Sequence, residues 1–315
     1  MFRTFTEQRP VLAFGLVFLI GVSPVAADNP QLDDSLLSQA EEQAKGQHWT
    51  RAEALARRYL QSNAESGDGH ALLGLILFNR EKWKESMGEY VEASKYRDLT
   101  ASEIKTFALD CGELHLARDA DKWLTRSLEM DPDDSKGWEA LGHVEFTEQR
   151  YEEAIRSFQR SLALAPCGVS AETGIGLARE MLSRLDDAKA AYKTAIVWES
   201  SKPNDPTPFH GLGRVLVKQG RPREALPYLQ QAVKLGPAAA QAHEDLGEAY
   251  SLLNQLAAAQ TELEKAVQLA PKVSRFHFML GQVYRRAGLM EKAKAELDLY
   301  ASQVGTGSTP DVDPR

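Results

Sequence analysis

The fold is decided by residues 138–166, which read WEALGHVEFTEQRYEEAIRSFQRSLALAP. Trp138 and Gly142 are four residues apart, so they share one face of a helix. Ala154 and Phe158 have the same spacing in a second run of helical pattern. The stretch ends on proline, which cannot continue a helix. It therefore predicts two short helices that pack face to face.

The small residue of the second helix recurs every 34 positions along the chain. The series is Ala52, Ser86, Ala120, Ala154 and Ala188, and after a slip of three residues it resumes at Ala225, Ala259 and Ala293. A period of about 20 to 50 residues indicates supersecondary units stacked on copies of themselves. Such a chain presents a long surface rather than a single pocket.

The register fixes a position number for every residue, with the recurring small residue as position 20. The units then begin at Asp33, Gly67, Ala101, Ser135, Val169, Pro206, Ala240 and Ser274. Position 8 is Gly or Ala in every unit, and proline stands at position 32 in four units. Small residues at positions 8 and 20 let the two helix backbones approach closely, while larger neighbours fill the space beside them.

This pattern resembles the tetratricopeptide repeat, which has Trp, Leu, Gly and Tyr in its first helix and Ala, Phe, Ala and Pro in its second. The resemblance extends over residues 33–307 and implies an all-α, right-handed solenoid of eight helix-turn-helix units. Unit one departs at Gln39, Gln43 and Ala64, and Cys111 replaces the aromatic of unit three. The expected organisation is a lead-in at 28–32, units one to five over 33–202, a Pro-rich insertion at 203–205, units six to eight over 206–307, and a disordered tail over 302–315.

The first 27 residues have the pattern of a secretory signal peptide. Arg3 and Arg9 precede a short apolar run over 11–22, and small residues lead to a cleavage site between Ala27 and Asp28. The sequence therefore predicts export, most simply to a bacterial periplasm, with no membrane span after cleavage. The alternative is an uncleaved signal that anchors the repeats outside the cytoplasm.

Charge and motifs argue against nucleic-acid binding and catalysis. The chain has a net charge of −8, and residues 1–27 contribute +1, so the remainder has −9; the RNA-binding pentatricopeptide repeat would need basic residues instead. His243-Glu244 begins like a zinc-protease helix, but Gly247 stands where the second His is required. We predict a protein that is not an enzyme and has no metal or cofactor. The settings of Cys111 and Cys167 do not favour a disulfide.

Function must therefore come from the groove. In the resembled family the first helices line a concave surface through positions 2, 5, 9, 12 and 13. In units two to five these positions supply a mostly apolar set: Leu75, Phe78, Asn79, Leu109, His143, Phe146, Leu177 and Met181. In units six and eight they supply a largely cationic set, and in unit seven they supply Glu244 and Glu248. The set of units six and eight is His210, Arg214, Lys218, Arg275, Phe278, Gln282, Arg285 and Arg286.

Each set has two interpretations. The apolar residues either contact a partner or are covered by neighbouring first helices. The cations either form salt bridges to unit seven or bind an acidic side chain or terminal carboxylate. The two-carboxylate clamp of the family's chaperone adaptors is rejected, because Leu75, Leu109, His143 and Leu177 occupy position 9, where that clamp requires Asn.

The leading hypothesis is a non-enzymatic scaffold that binds a protein or peptide segment in its groove. The resemblance implies a role in envelope assembly or export machinery. Two alternatives remain: a self-associating structural protein, such as a homodimer, and a glycan- or small-ligand-binding protein.

Overall fold

The computed structural model describes residues 30–199 and 203–305, which form sixteen α-helices and no strand. Each unit contributes one odd-numbered and one even-numbered helix. The odd-numbered helices are α1 (Pro30–Lys45), α3 (Gly67–Phe78), α5 (Ala101–Glu113), α7 (Ser135–Thr147), α9 (Val169–Met181), α11 (Thr207–Lys218), α13 (Ala240–Leu252) and α15 (Ser274–Arg286). The even-numbered helices are α2 (Trp49–Ser62), α4 (Trp83–Tyr96), α6 (Ala117–Met130), α8 (Tyr151–Leu164), α10 (Leu185–Trp198), α12 (Pro222–Leu235), α14 (Leu256–Leu269) and α16 (Met290–Gly305). The predicted all-α solenoid is confirmed.

Within a unit the two helices pack through the small residue at position 8. A Cβ atom added to Gly142 would lie 2.7 Å from the ring of Phe158 at position 24. Gly176 and Tyr192 repeat this contact one unit later, again at 2.7 Å. Because Phe158 and Tyr192 are fully buried, the glycines let each large side chain reach the backbone of the facing helix.

The turn between the two helices has the same backbone conformation in all eight units. Position 15 adopts a left-handed conformation, with φ from 58° to 78°, at Gln47, Glu81, His115, Gln149, Ser183, Gly220, Asn254 and Gly288. The amide of position 16 then bonds back to the carbonyl of position 11, as from His48 to Gln43 at 2.8 Å. This is the ending that satisfies free carbonyls at a helix C-terminus. Only two units use glycine there.

In units two, four, seven and eight, position 4 joins the unit to the preceding one through a side-chain hydrogen bond. Trp138 donates its indole N–H to the carbonyl of Pro132, position 32 of unit three, at 2.9 Å. His243 and His277 make the same contact through Nε2 to Pro237 and Pro271. Each of these side chains thus satisfies a carbonyl at the end of the preceding unit.

The solenoid is curved, with the odd-numbered helices on its inner side. Each odd-numbered helix contacts the next odd-numbered helix, from α1 with α3 to α13 with α15, whereas no two even-numbered helices of the described residues come into contact. The odd-numbered helices are therefore closer together and line the concave surface. Stacking continues across the Pro-rich insertion, because α10 packs on α11 as α12 packs on α13.

Four of the predicted segments lie wholly or partly outside the described residues. These are the signal segment 1–27, the lead-in at residues 28 and 29, units one to five at residues 200–202, and the tail beyond residue 305. Helix α16 continues to Gly305, so the first residues assigned to the tail are helical. The unit and segment boundaries otherwise remain predictions.

Candidate partner-binding surface

The concave surface changes character along the solenoid, and its first half is apolar. Leu75 on α3 is 40% exposed and Met181 on α9 is 56% exposed, although both are large hydrophobic residues. Phe78 and Phe146, at position 12, are half-buried because each packs edge-on against an aromatic ring at position 17 of its own unit. Exposed apolar residues on one concave face are typical of a binding surface.

An open cleft interrupts this face between units three and four. Its cavity volume is about 480 Å³, and it lies between α5 and α7 with Leu124 of α6 among its lining residues. The predicted residues Leu109 and His143 both line it, together with Gly112 of α5. A Cβ atom added to Gly112 would meet no atom within 4 Å, so this glycine borders open space.

A buried ion network lies where the apolar half meets the cationic half. Glu180 of unit five, with a side chain only 3% exposed, accepts two hydrogen bonds from the guanidinium of Arg214, both at 2.8 Å. Lys218 and the hydroxyl of Tyr192 also donate to it, at 2.8 and 3.0 Å. Burial alone would raise the pKa of Glu180, but the hydrogen bonds and charges of Arg214 and Lys218 lower it to about 2.

Arg214 and Lys218, predicted as groove cations, are therefore paired backward with unit five rather than forward with unit seven. Their charges are balanced in part by Glu180, and the bidentate Arg214 contact crosses the Pro-rich insertion. The network ties unit six to unit five at the point where the regular period is broken. Its main effect is structural, and it removes two cations from the set available to a partner.

Arg275 forms the ion pairs with unit seven that the sequence allowed. Its Nε lies 2.7 Å from Oε1 of the buried Glu244, and Glu248 is 3.8 Å away. The approach to Glu244 lacks hydrogen-bond alignment, so that oxygen has no hydrogen-bond partner among the described residues. Burial consequently prevails over the charge of Arg275 and raises the pKa of Glu244 to about 7. His210 likewise contacts Asp245 of unit seven, at 2.7 Å.

Two cations of the predicted set make no ion pair within residues 30–199 and 203–305. Arg286 donates to the hydroxyl of Ser251 at 2.6 Å and to the amide oxygen of Asn254 at 3.1 Å. Arg285 donates to the amide oxygen of Gln282. Since these acceptors are neutral, the two charges remain uncompensated at the end of the surface.

The remaining predicted residues fill supporting roles. Asn79 donates to the carbonyl of Leu75 at 2.8 Å and closes the end of α3. Leu177 packs against the core between units five and six. Phe278 contacts Tyr300 of the last helix, with ring centroids 5.2 Å apart, and is still partly exposed.

The described residues contain no group of three or more His, Cys, Asp or Glu side chains able to hold a metal ion. Cys111 is buried and Cys167 is exposed, and both are free thiols. Among the helices described, none is long and apolar enough to cross a membrane.

The repeat family is shown by sequence. Residues 113–168, 139–206, 210–259 and 252–307, together more than half of the chain, match the tetratricopeptide repeat. The chain belongs to the tetratricopeptide repeat family. Its general role is therefore that of a protein-interaction scaffold, a family class that is generally non-enzymatic. None of the curated proteins is significantly similar to it.

Solved structures share the fold at low sequence identity. A tetratricopeptide repeat protein from Parabacteroides merdae is 16% identical, with a TM-score of 0.61 over 80% of this chain and 99% of that one. The Cut9–Hcn1 hetero-tetramer of the APC/C is 17% identical, with a TM-score of 0.64 over 89% of this chain and 55% of that one. PilF from Pseudomonas aeruginosa is 17% identical, with a TM-score of 0.56 over 72% of this chain and 98% of that one.

Two residues of this surface were not predicted from the sequence. Glu180 and Gly112 both stand at position 12, where units two and four have phenylalanine. The register alone could have identified Gly112 as a gap in a row of large side chains. It could also have flagged Glu180 at position 12, because Arg214 and Lys218 stand at positions 9 and 13 of the next unit, on either side of the equivalent position.

Proposed function

We propose that this protein is a non-enzymatic, exported scaffold of the cell envelope that binds an extended or helical segment of a partner protein on its concave surface. The observation that supports this most directly is the exposure of Leu75 and Met181 on the inner helices. Positions 4, 8 and 11 of those helices already supply the packing within and between units. The fold therefore does not require large apolar residues at the positions of Leu75 and Met181.

Binding can be tested with short random peptides selected against the purified repeat region. Leu75→Arg and Met181→Arg should each weaken the selected peptides by roughly tenfold or more, because each removes apolar contact and adds a charge. Val197→Arg is the matched control, since Val197 is 78% exposed but lies on the even-numbered helix α10. Peptides that are insensitive to both concave substitutions, or sensitive only to the control, would overturn the proposal.

Export is part of the same proposal and has its own test. The charged and apolar pattern of residues 1–27 supports it. Fractionation of producing bacteria, followed by sequencing of the mature amino terminus, should give a periplasmic protein that begins at Asp28. A full-length chain in the cytoplasm would contradict it, and a full-length chain in the membrane fraction would favour the uncleaved anchor.

Self-association is a second candidate, supported by the last helix. Leu289, Met290, Leu299 and Val304 are all exposed on or beside α16, and no other helix of the described residues covers them. Light scattering at several concentrations should then show a dimer that Met290→Glu/Leu299→Glu converts to a monomer. A monomer at every concentration excludes this candidate.

A further inference from the structure

The cleft between units three and four is bordered by a position that lacks a large side chain. Units two and four each place a phenylalanine at position 12, packed against an aromatic ring of the same unit. Unit three has Gly112 at this position, and Gly112 lines the cleft. The missing side chain leaves a gap between the phenylalanines of units two and four on the concave face.

The gap is both open and apolar at its base. Leu109, Leu124 and Val144 line it, and the cavity of about 480 Å³ is within the range of roughly 300 to 1,000 Å³ usual for ligand pockets. This volume accommodates a leucine or phenylalanine side chain together with part of the backbone that carries it. Nothing in the described residues fills the space in front of Gly112.

The rim of the cleft has an uncompensated negative charge. Lys136 and Glu139 neutralise each other in an ion pair at 2.9 Å. Glu113, adjacent to Gly112, is exposed and makes no ion pair in the part of the chain that the structure describes. A cation close to the occupant of the cleft would meet this carboxylate, in a protein whose net charge is already −8.

We propose that the cleft at Gly112 is an anchor pocket for one large apolar side chain of a partner segment that has a lysine or arginine beside that side chain. This inference rests on the proposed function, because it names the chemistry of the segment bound there. The apolar side chain supplies contact area, and the neighbouring cation pairs with Glu113. Neither feature is required by the packing of units three and four.

The pocket can be filled without disturbing the fold. Gly112→Leu places a side chain in the open space and replaces glycine inside a helix, so helix propensity rises. Gly88→Leu is the matched control, because Gly88 lies inside α4 and a Cβ atom added there would also meet no atom within 4 Å. Circular dichroism melting of the two variants should show that both remain folded.

The probe is a set of fluorescein-labelled peptides selected from a random library against the unmodified protein. These peptides should share a large apolar residue next to Lys or Arg, and Gly112→Leu should weaken them by roughly tenfold or more, the equivalent of one buried apolar side chain. Gly88→Leu should bind them unchanged. Glu113→Lys, a surface substitution, should weaken peptides with the basic residue and leave their Lys→Gln or Arg→Gln analogues unaffected.

The outcomes separate this inference from the function on which it rests. Peptides that bind Gly112→Leu and Gly88→Leu equally well, while Leu75→Arg abolishes binding, would overturn the anchor pocket and leave the scaffold proposal intact. A protein that selects no peptide would overturn both. A third outcome is that Gly112→Leu weakens the peptides, but the peptides share no Lys or Arg and Glu113→Lys has no effect on them. This result would overturn the basic residue assigned to the partner segment.

Discussion

Asp110 should make the junction between units two and three sensitive to pH. It stands at position 10, where unit four has Val144, and it is fully buried. Neither carboxylate oxygen has a hydrogen-bond partner among the described residues. The neighbouring hydroxyl of Ser86 already donates to the carbonyl of Gly74 at 2.9 Å. Burial raises the pKa of Asp110 to about 7, Ser86 offsets this only in part, and Glu113 adds to the increase.

The magnitude follows from the difference between the folded and unfolded pKa values. The pKa of Asp110 rises from 3.8 to about 7. A difference of about three pH units corresponds to about 4 kcal/mol. Because the folded state binds the proton on Asp110 more tightly, the resulting contribution to folding stability is fully present below the unfolded pKa. It is lost progressively as the pH rises from about 4 to about 7. Above that range Asp110 contributes a buried, unpaired charge.

The test compares the unmodified protein with Asp110→Val, which introduces the residue type that unit four has at the same position. Repeat arrays open locally, so hydrogen exchange of α4 and α5 is the appropriate readout, measured from about pH 5 to about pH 9 and corrected for intrinsic exchange. The variant should be more stable at the alkaline end by up to about 4 kcal/mol, and the difference should shrink toward acid pH. If the opening free energies of the unmodified protein and of Asp110→Val differ by the same amount at every pH in this range, the reasoning is refuted. Asp110→Asn, which keeps the volume but has no charge, should behave like the valine variant in its pH dependence.

Three further substitutions test the fold, each measured by urea unfolding followed by circular dichroism. Glu180→Gln should destabilise the protein by about 3 kcal/mol, because it leaves the guanidinium of Arg214 without its bidentate partner. Gly142→Ala should cost about 2 kcal/mol, since its Cβ atom would lie 2.7 Å from the buried ring of Phe158. His277→Phe should cost about 1 kcal/mol, because the contacts of the imidazole with Glu296 and with the carbonyl of Pro271 are lost, although that carbonyl still accepts from Gln303.

Each of these predictions has a matched control. Lys218→Met should cost less than Glu180→Gln, because Lys218 is half exposed and Glu180 keeps both of its hydrogen bonds from Arg214. Gly88→Ala, in open space, should leave stability unchanged or raise it by up to about 1 kcal/mol. His277→Trp should retain more stability than the phenylalanine variant. An indole N–H there can donate to the carbonyl of Pro271, as that of Trp138 donates to the carbonyl of Pro132. Equal losses in a variant and its control would contradict the assigned contact.

The repeat period was sufficient to predict the architecture, because each unit must bury the same small and large residues. Gly142 and Phe158 illustrate this. Their positions in the register predicted that a large side chain of the second helix faces a glycine of the first, and the structure brings the two into contact. The left-handed turn residues were not predicted. Only Gly220, Asn254 and Gly288 have a residue type that signals such a turn, whereas a residue such as Glu81 adopts it because the flanking helices hold it there.

The surface was harder to predict than the core, because contacts between units involve residues one repeat apart. The register placed Arg214 on the concave face, but not the direction in which its long side chain extends. Glu180 captures it because that carboxylate is buried and needs cationic partners. Arg275 extends to unit seven for the same reason. The partner of each arginine is thus decided by which acidic side chains the fold buries. The position of a residue in the repeat does not give that information.

The charges that remain unpaired give the concave surface a direction. Among the described residues, Glu113 makes no ion pair at the apolar cleft, whereas Arg285 and Arg286 of unit eight bond only to neutral groups. A segment with a cation near unit three and an acidic group near unit eight would match both ends, so we predict that a bound segment takes one preferred orientation.

This direction can be tested by charge reversal at the far end. Arg285→Glu/Arg286→Glu should weaken peptides that have an acidic end, and salt should reduce the difference from the unmodified protein. Arg58→Glu/Arg118→Glu is the matched control: it changes the net charge equally, on α2 and α6, with residues that are also exposed. If the control weakens the same peptides as much, the effect comes from net charge alone. The end of the groove then has no part in orienting the segment.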